Sequence, residues 1–407
     1  MSAPPSTATD GVAADSGIGG PATVDPGAAG AGVAVPGGTW KPTAPAVGDA
    51  AAPRRFGTLG EIALAARAGM DPKVWDFLEG GAGEEQTLDA NRRAFLRWSF
   101  RPRLLNGIGV PDTATTFLGV PLRMPILTAP FGAEGQFHPE GHLAVARANA
   151  AAGVASIVPE ASTFPLERIA AEAPSAARIM QLHPTGRPEN VLAMVRRAAA
   201  AGYTALCVTC DCPTAGWRER NMRNAFEIDE RFVSGNYPAG SPVPLQEVFG
   251  QLFRRDEPLW TWRQVGDLMA EGGLPWMAKG VLTREDAIAA AESGASAVLV
   301  SNHGGRQLDG APAALDQLPE VVAALTGRPV QVALDSGVRR GSDVVKALAL
   351  GADVVVLGRA TALGLAADGE AGVALVHALM AEELVTIMTL TGRASLADIG
   401  RDLLQAA

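Results

Sequence analysis

The sequence predicts an α/β fold: a closed (β/α)8 barrel with a short N-terminal helical segment and a long loop after its fourth strand. Three observations predict it. From Pro125 onward, short apolar runs alternate about eight times with Ala-rich amphipathic stretches. The runs are apolar throughout, as in parallel strands buried on both faces. Polar residues gather at the carboxyl ends of the runs, where a barrel carries its chemistry. An open doubly wound sheet is the alternative arrangement of the same β-then-α units.

In chain order, residues 1–52 are Ala, Gly, Pro, Ser and Thr with scattered Asp. They have no period and little to bury, so a disordered tail is expected. Residues 53–407 are expected to form the barrel domain. Helices are predicted over 61–68, from Asp71-Pro72 through Leu78, and over 84–95, the last two separated by Gly80-Gly81-Ala82-Gly83. The strand runs are 126–130, 155–158, 178–182, 205–209, 276–279, 297–301, 330–335 and 354–358. Helices are predicted over 141–151, 189–201, 284–293, 313–325 and 342–350. One connection, 212–275, is too long for an ordinary βα loop and reads as a partly mobile lid.

The chain has 407 residues, 47% of them hydrophobic and 19% charged, enough for a large core. A net charge of −9 argues against a nucleic-acid partner. No apolar run in the sequence reaches the length of a membrane span. The first residues lack a basic region followed by an apolar core, so no secretory signal is expected. Cys207, Cys210 and Cys212 are odd in number and crowded together, which is no disulfide framework. A cytoplasmic location is expected.

The stretch AVLVSNHGGRQL, residues 297–308, carries the strongest sign of chemistry. An apolar strand ends abruptly in His303, two glycines and Arg306. A His moves protons near neutral pH, and an Arg grips a carboxylate or phosphate with its planar fork. After the last two strands come DSGVRRG, with Asp335, Gly337 and Arg339, and LGR, with Gly358 and Arg359. Glycines before helix starts, with arginines beside them, suit a phosphate. No GxGxxG or GxxxxGK[ST] is present, so neither a dinucleotide fold nor a P-loop is indicated. Lys279 at a strand end is either a charge partner for an anion or a Schiff-base nucleophile. Cys207 and Cys210 form a CxxC, but on a strand they face opposite ways. His138 and His142 make a metal pair only in a fully helical HPEGH, and Pro139 and Gly141 favour a helix start instead. No metal is expected.

Together these residues resemble a known family. SNHGGRQLDG, residues 301–310, is similar to the active-site signature of the FMN-dependent α-hydroxy-acid oxidases and dehydrogenases, and the resemblance runs from about Leu59 to Leu404. It includes EGGAGEEQTLDANRRAF, FRPRLL, HPEG, KGV, DSGVRRGSDVVKALALGA and LGRA. The resemblance implies an FMN at the barrel mouth. Lys279 then lies at the flavin N1–C2=O edge. Thr128, Ala129, Gln181 and Thr209 line the isoalloxazine, with Pro130 and Ser301 also on the cofactor side. Asp335, Gly337, Arg339, Gly358 and Arg359 hold the ribityl phosphate. It further implies His303 as base, Asp211 as the acid orienting it, and Arg306 and Arg218 as the pair binding a substrate carboxylate. The acceptor is oxygen or another oxidant, and the assembly a homotetramer.

Three positions depart from the family. Phe77 stands where a tyrosine is usual and has no hydroxyl to offer a carboxylate. His183 stands where a second tyrosine is usual; it can donate a hydrogen bond, act as a second base or contact an unusual substrate. Glu160 can add a carboxylate near the cofactor. The expected reaction is oxidation of a bulky or aromatic 2-hydroxy acid to the 2-oxo acid. The alternatives are oxidation of an amine or a specialised metabolite, a flavin scaffold without turnover, and a Schiff-base aldolase built on Lys279.

Overall fold

The structure is a computed structural model and describes residues 54–241, 243–250 and 260–407. The expected tail, residues 1–52, and part of the 212–275 connection lie outside the described residues. Eight parallel strands close a barrel: β1 (Ile126–Thr128), β2 (Ala155–Val158), β3 (Arg178–Leu182), β4 (Ala205–Thr209), β5 (Trp276–Val281), β6 (Ala297–Val300), β7 (Gln331–Leu334) and β8 (Val354–Leu357). Each pairs with its neighbour in sequence and β8 pairs with β1, which rules out the open sheet.

Side chains alternate between two apolar layers, as the period of a strand requires. Leu127, Ile157, Ile179, Met277, Leu299 and Val356 fill the barrel interior. Their neighbours Ile126, Val158, Met180, Val298 and Val355 face the surrounding helices. Cys207 belongs to the inner layer and Cys210 packs on the outer one, so the two thiols do face opposite ways.

A hairpin the sequence reading missed, Thr115–Phe117 with Val120–Leu122, closes the amino-terminal mouth. Phe117, Leu118, Val120 and Leu122 join the interior layer. The Gln331 carboxamide at the start of β7 accepts from the Leu118 N–H at 2.8 Å. That hairpin plugs the amino-terminal end of the barrel.

The predicted helices form within a residue or two of their expected limits. Gly141 opens the helix Gly141–Ala152, so HPEGH is a helix start, and the buried His142 lies within it. The reading also missed Leu166–Glu172, Trp262–Gly272 and Arg359–Thr391. The last is apolar and long enough to cross a membrane by length and composition, with a mean hydropathy of 1.7 over its best window. It bends at Asp368 and Gly369 and packs on the helices Leu59–Gly69 and Gly141–Ala152. Its buried Val373, Val376, Met380, Leu384 and Met388 recur every three or four residues, the stripe of a helix lying on a core.

The ladder of β5 slips between Lys279 and Val281, a bulge centred on Gly280 at φ +107°. A Cβ there would stand 2.4 Å from the Asp211 Cβ, so glycine lets β5 and the end of β4 approach. Gly280→Ala is therefore expected to cost about 1–3 kcal/mol of stability, measured by denaturant unfolding. A wild-type midpoint and slope would mean the close approach does not exist.

Candidate active site

The carboxyl-terminal mouth opens into a cavity of about 1380 Å³. Its wall includes Gln181, His183, Thr209, Lys279, His303, Arg218, Arg306, Asp335, Gly337, Arg339, Gly358 and Arg359. Ala129, Pro130 and Phe77 also reach it. Two expected cofactor residues do not. Thr128 is fully buried, with its hydroxyl against the Asn149 carboxamide at 3.0–3.2 Å. Ser301 is buried too, and its hydroxyl accepts from the His303 N–H at 3.0 Å. Both side chains turn away from the mouth and brace what stands behind it.

His303 is the centre of the arrangement. Its backbone is left-handed at φ +58°, followed by Gly304 and Gly305, also at positive φ. A non-glycine residue in this region carries strain, which the surroundings must hold. The Ser336 hydroxyl accepts from the N–H groups of Gly304 (3.0 Å) and Asn302 (3.3 Å). Asn302 and Asn91 exchange a reciprocal pair of amide hydrogen bonds, each 2.8 Å.

The imidazole Nδ1 sits 3.1 and 3.2 Å from the two Asp211 carboxylate oxygens. A carboxylate only accepts, so Asp211 favours the tautomer with the proton on Nδ1. Lys279 Nζ lies 3.2 Å and Cys212 Sγ 3.4 Å from the same Nδ1, and Lys279 Nζ is 3.7 Å from Asp211. Burial raises the Asp211 carboxyl, but the Lys279 charge and then the His303 imidazole, charged when protonated and hydrogen-bonded to it, outweigh burial and hold it below the usual range. Burial and then Lys279 bring His303 down to about 4, against the pull of Asp211. The imidazole is therefore neutral at pH 7 and able to take a proton.

Three guanidiniums crowd the same rim. Burial, then repulsion from Arg218 and Arg359, holds Arg306 well below its ordinary value, and burial, then repulsion from Arg339, brings Arg359 down to about 10. Burial also lowers Arg218. Arg306 donates to the carbonyls of Phe77 and Gly80. Arg359 donates to those of Leu78, Gly304 and Gly80 at 2.8–3.0 Å. The N-terminal helical segment is thus held over the mouth as part of its wall. Asp309 seals it further by accepting from the N–H groups of Glu84 and Thr87, each at 2.9 Å. Asn91 and Asp309 were not expected at the site; their polar character inside otherwise matched motifs was the only sign of them. The 212–275 connection contributes Arg218, Phe226 and Phe249 to the wall.

Asp211, Cys212 and His303 also place three ligand atoms within 4.8 Å of one another, the size of a metal site. Lys279 beside them gives the local charge instead.

Fold and site together define a flavin-dependent oxidoreductase on a (β/α)8 barrel. Residues 66–406 match the model of the family described as FMN-dependent dehydrogenase. The chain is 41% identical to an L-lactate oxidase of Nostoc sp. (strain PCC 7120 / SAG 25.82 / UTEX 2576), over 82% of this chain and 94% of the relative. It is 40% identical to glycolate oxidase 1 of Oryza sativa subsp. indica, over 84% and 93%. A mandelate oxidase variant solved with a C4a-OH-FMN adduct superposes with a TM-score of 0.78 at 38% identity, covering 85% of this chain and 99% of that one. The chain belongs to the family of FMN-dependent α-hydroxy-acid oxidases and dehydrogenases, and FMN is its cofactor.

The residues present fit that group. Arg339 and Arg359 face a single acid, Glu79, at 3.2 and 4.0 Å, leaving positive charge for a phosphate. The helix Arg359–Thr391 starts with no side-chain cap, so its first N–H groups are available to an anion. A Cβ on Gly358 would meet nothing nearer than 3.7 Å, an open position on the cavity wall.

The neutral His303 predicts a pH profile. If its unprotonated form is required, kcat/KM should stay level from pH 8 down to about pH 5 and fall on an acid limb near pH 4. A limb near the ordinary imidazole value would show that His303 is not so perturbed.

Proposed function

We propose that the protein oxidises a bulky or aromatic 2-hydroxy acid to the 2-oxo acid. The observation that carries this reading is the juxtaposition of a carboxylate-backed, neutral imidazole with two half-buried arginines on one cavity wall. Arg306 and Arg218 take the substrate carboxylate. Among the described residues the Arg306 carbonyl and the Gln307 carboxamide engage Arg218, each at 3.3 Å, which leaves it donors to spare. His303 Nε2 takes the proton of the substrate hydroxyl, and Asp211 stabilises the imidazolium that results. When bound, FMN accepts the two electrons that leave the substrate carbon as a hydride equivalent. The protein's part is to place that carbon, hold the proton and exclude water.

Support for a bulky substrate comes from the apolar wall. Phe77 stacks on Phe226 with centroids 4.9 Å apart and lies 6.4 Å from Phe137. The Arg306 guanidinium sits 5.0 Å over the Phe77 ring. An aromatic face here replaces a hydroxyl and leaves the carboxylate to the arginines. The relatives named as oxidases support oxygen as acceptor. A second reading, oxidation of an amine, is favoured by the extra carboxylate and imidazole of Glu160 and His183.

Anaerobic mixing of the holoenzyme with mandelate, 4-hydroxymandelate, lactate and glycolate should bleach the flavin with the aromatic acids and not with glycolate. Bleaching by an amine alone would move the assignment to the second reading. His303→Ala should lower kcat by about 10²–10⁴-fold, the usual worth of a general base. Turnover within a few-fold of wild type would remove His303 from that role.

A further inference from the structure

Behind the cavity wall stands a buried carboxyl group that the chemistry above does not use. Glu134 follows β1, on the 3₁₀ turn Glu134–Gln136, and is fully buried. Its Oε1 accepts from the Ser162 hydroxyl and from the Thr163 N–H, the latter at 3.1 Å. The N–H of His142, at the start of the helix Gly141–Ala152, faces the same carboxyl. Oε2 has no hydrogen-bond partner among the described residues. Three segments meet here. The Gly135 N–H donates to Thr163 Oγ1 at 2.9 Å, and that hydroxyl donates to the Phe232 carbonyl at 3.0 Å, in the long connection after β4. The Gly235 N–H of the same connection donates to the Ser162 carbonyl at 2.9 Å.

On the cavity side of Glu134, the residues Ala129, Pro130, Phe131 and Ala133 line the wall. Ala133 is left-handed at φ +56°, a strain that its surroundings must hold. Its N–H donates to the Ala161 carbonyl at 3.0 Å, and a Cβ on Gly132 would stand 2.7 Å from that oxygen. The wall therefore rests on the loop that Glu134 grips through Ser162 and Thr163. Its titratable and charged neighbours do not offset a charge on Glu134. His142 is fully buried, neither ring nitrogen has a partner among the described residues, and burial brings it down to about 3. His138, on the same loop, accepts from the Glu140 N–H at 3.3 Å, and Glu140 pairs with Arg147. Glu160, on the loop of Ser162, is engaged with His183 and Tyr237. Arg168 lies over the Phe164 ring at 4.5 Å, and Glu230 and Arg231 beside Phe232 are exposed. Burial dominates and raises Glu134 to about 7, against its hydrogen bonds.

We propose that Glu134 is a positioning residue for the cofactor, its carboxyl group fastening the 129–133 wall to the loops behind it. This rests on the reading of Ala129 and Pro130 as cofactor-side residues. The protonated form is the one that fastens. Oε1 keeps both donors, and Oε2 carries a proton in place of a buried charge. Loss of that proton favours any state in which water reaches the carboxyl. A carboxyl raised by the closed wall strengthens closure fully below its ordinary value of 4.5, and that gain is lost as the pH rises to about 7. Above that the loss is complete and levels off.

The test measures the FMN dissociation constant of wild type and Glu134→Gln from pH 5 to pH 8.5, by diluting the holoenzyme and following the fluorescence of released flavin. The amide has the shape of the carboxyl, keeps an acceptor for Ser162 and Thr163, and does not ionise. Taking the ratio of the two proteins cancels the titration of the FMN phosphate and of groups common to both. The wild-type constant, divided by that of Glu134→Gln, should rise about tenfold or more from pH 5 to pH 7.5 and stay level above. Ser162→Ala keeps Glu134 and removes a hydrogen bond that lowers it, so the rise should move to higher pH. A ratio independent of pH, including a constant loss of affinity in Glu134→Gln, overturns the proposal. So does a rise that Ser162→Ala leaves in place, a result that stands even if the amide variant does not fold. If the pH window appears in the difference of melting temperatures but not in FMN binding, the proposal falls and the cofactor-side reading of Ala129 and Pro130 falls with it; if it appears in neither, the proposal falls alone.

Discussion

The contact between the Asp211 carboxylate and His303 Nδ1 is the constraint around which the mouth of the barrel is built. A carboxylate taken out of water is costly unless it is paired. Lys279 and the imidazole supply the partners at 3.7 and 3.1 Å. Bringing them together needs the bulge at Gly280, which lets the end of β4 close on β5. It also needs His303 in a left-handed conformation, which Ser301, Asn302 and Ser336 hold through hydrogen bonds to the loop backbone. The strain at His303 and the ordering of its loop serve one end: an imidazole with one nitrogen committed and the other presented to the cavity.

The arginines add a second demand. Arg306 is repelled by Arg218 and Arg359, and Arg359 by Arg339 and Arg218, against the pull of Glu79. Main-chain carbonyls of residues 77–80 and of Gly304 satisfy part of their hydrogen-bonding capacity without cancelling their charge. The same bonds attach the N-terminal helical segment to the barrel. Structure and ligand affinity are therefore coupled: the groups that fasten the wall are the groups left wanting an anion.

Much of the architecture was legible because its signals are local. A run such as Ala297–Val300 is apolar throughout since both its faces are buried, and the polar break after it marks the strand end. The plug hairpin was not legible: its strands are three residues long, and only its placement under the barrel makes Phe117 and Leu118 part of a core. The helix Arg359–Thr391 was hidden by its own composition, since a long apolar stretch does not show which stripe is buried. At the site, motifs name residue types but not side-chain directions. Thr128 and Ser301 lie in the expected stretches yet point to Asn149 and to the His303 backbone.

By itself the sequence determined the alternation of strand and helix, the closed barrel it implies, and the reactive residue types waiting at the strand ends, because burial period and turn chemistry act over a few residues. Only the tertiary structure decided which of those residues meet. Asp211 and His303 are 92 positions apart, and Glu160 and Tyr237 are 77. Closure of the barrel brings consecutive strand ends to about 5 Å and turns distant side chains into pairs. That convergence, set by packing and not by any local pattern, puts the imidazoles of His303 and His183 on the wall of one cavity.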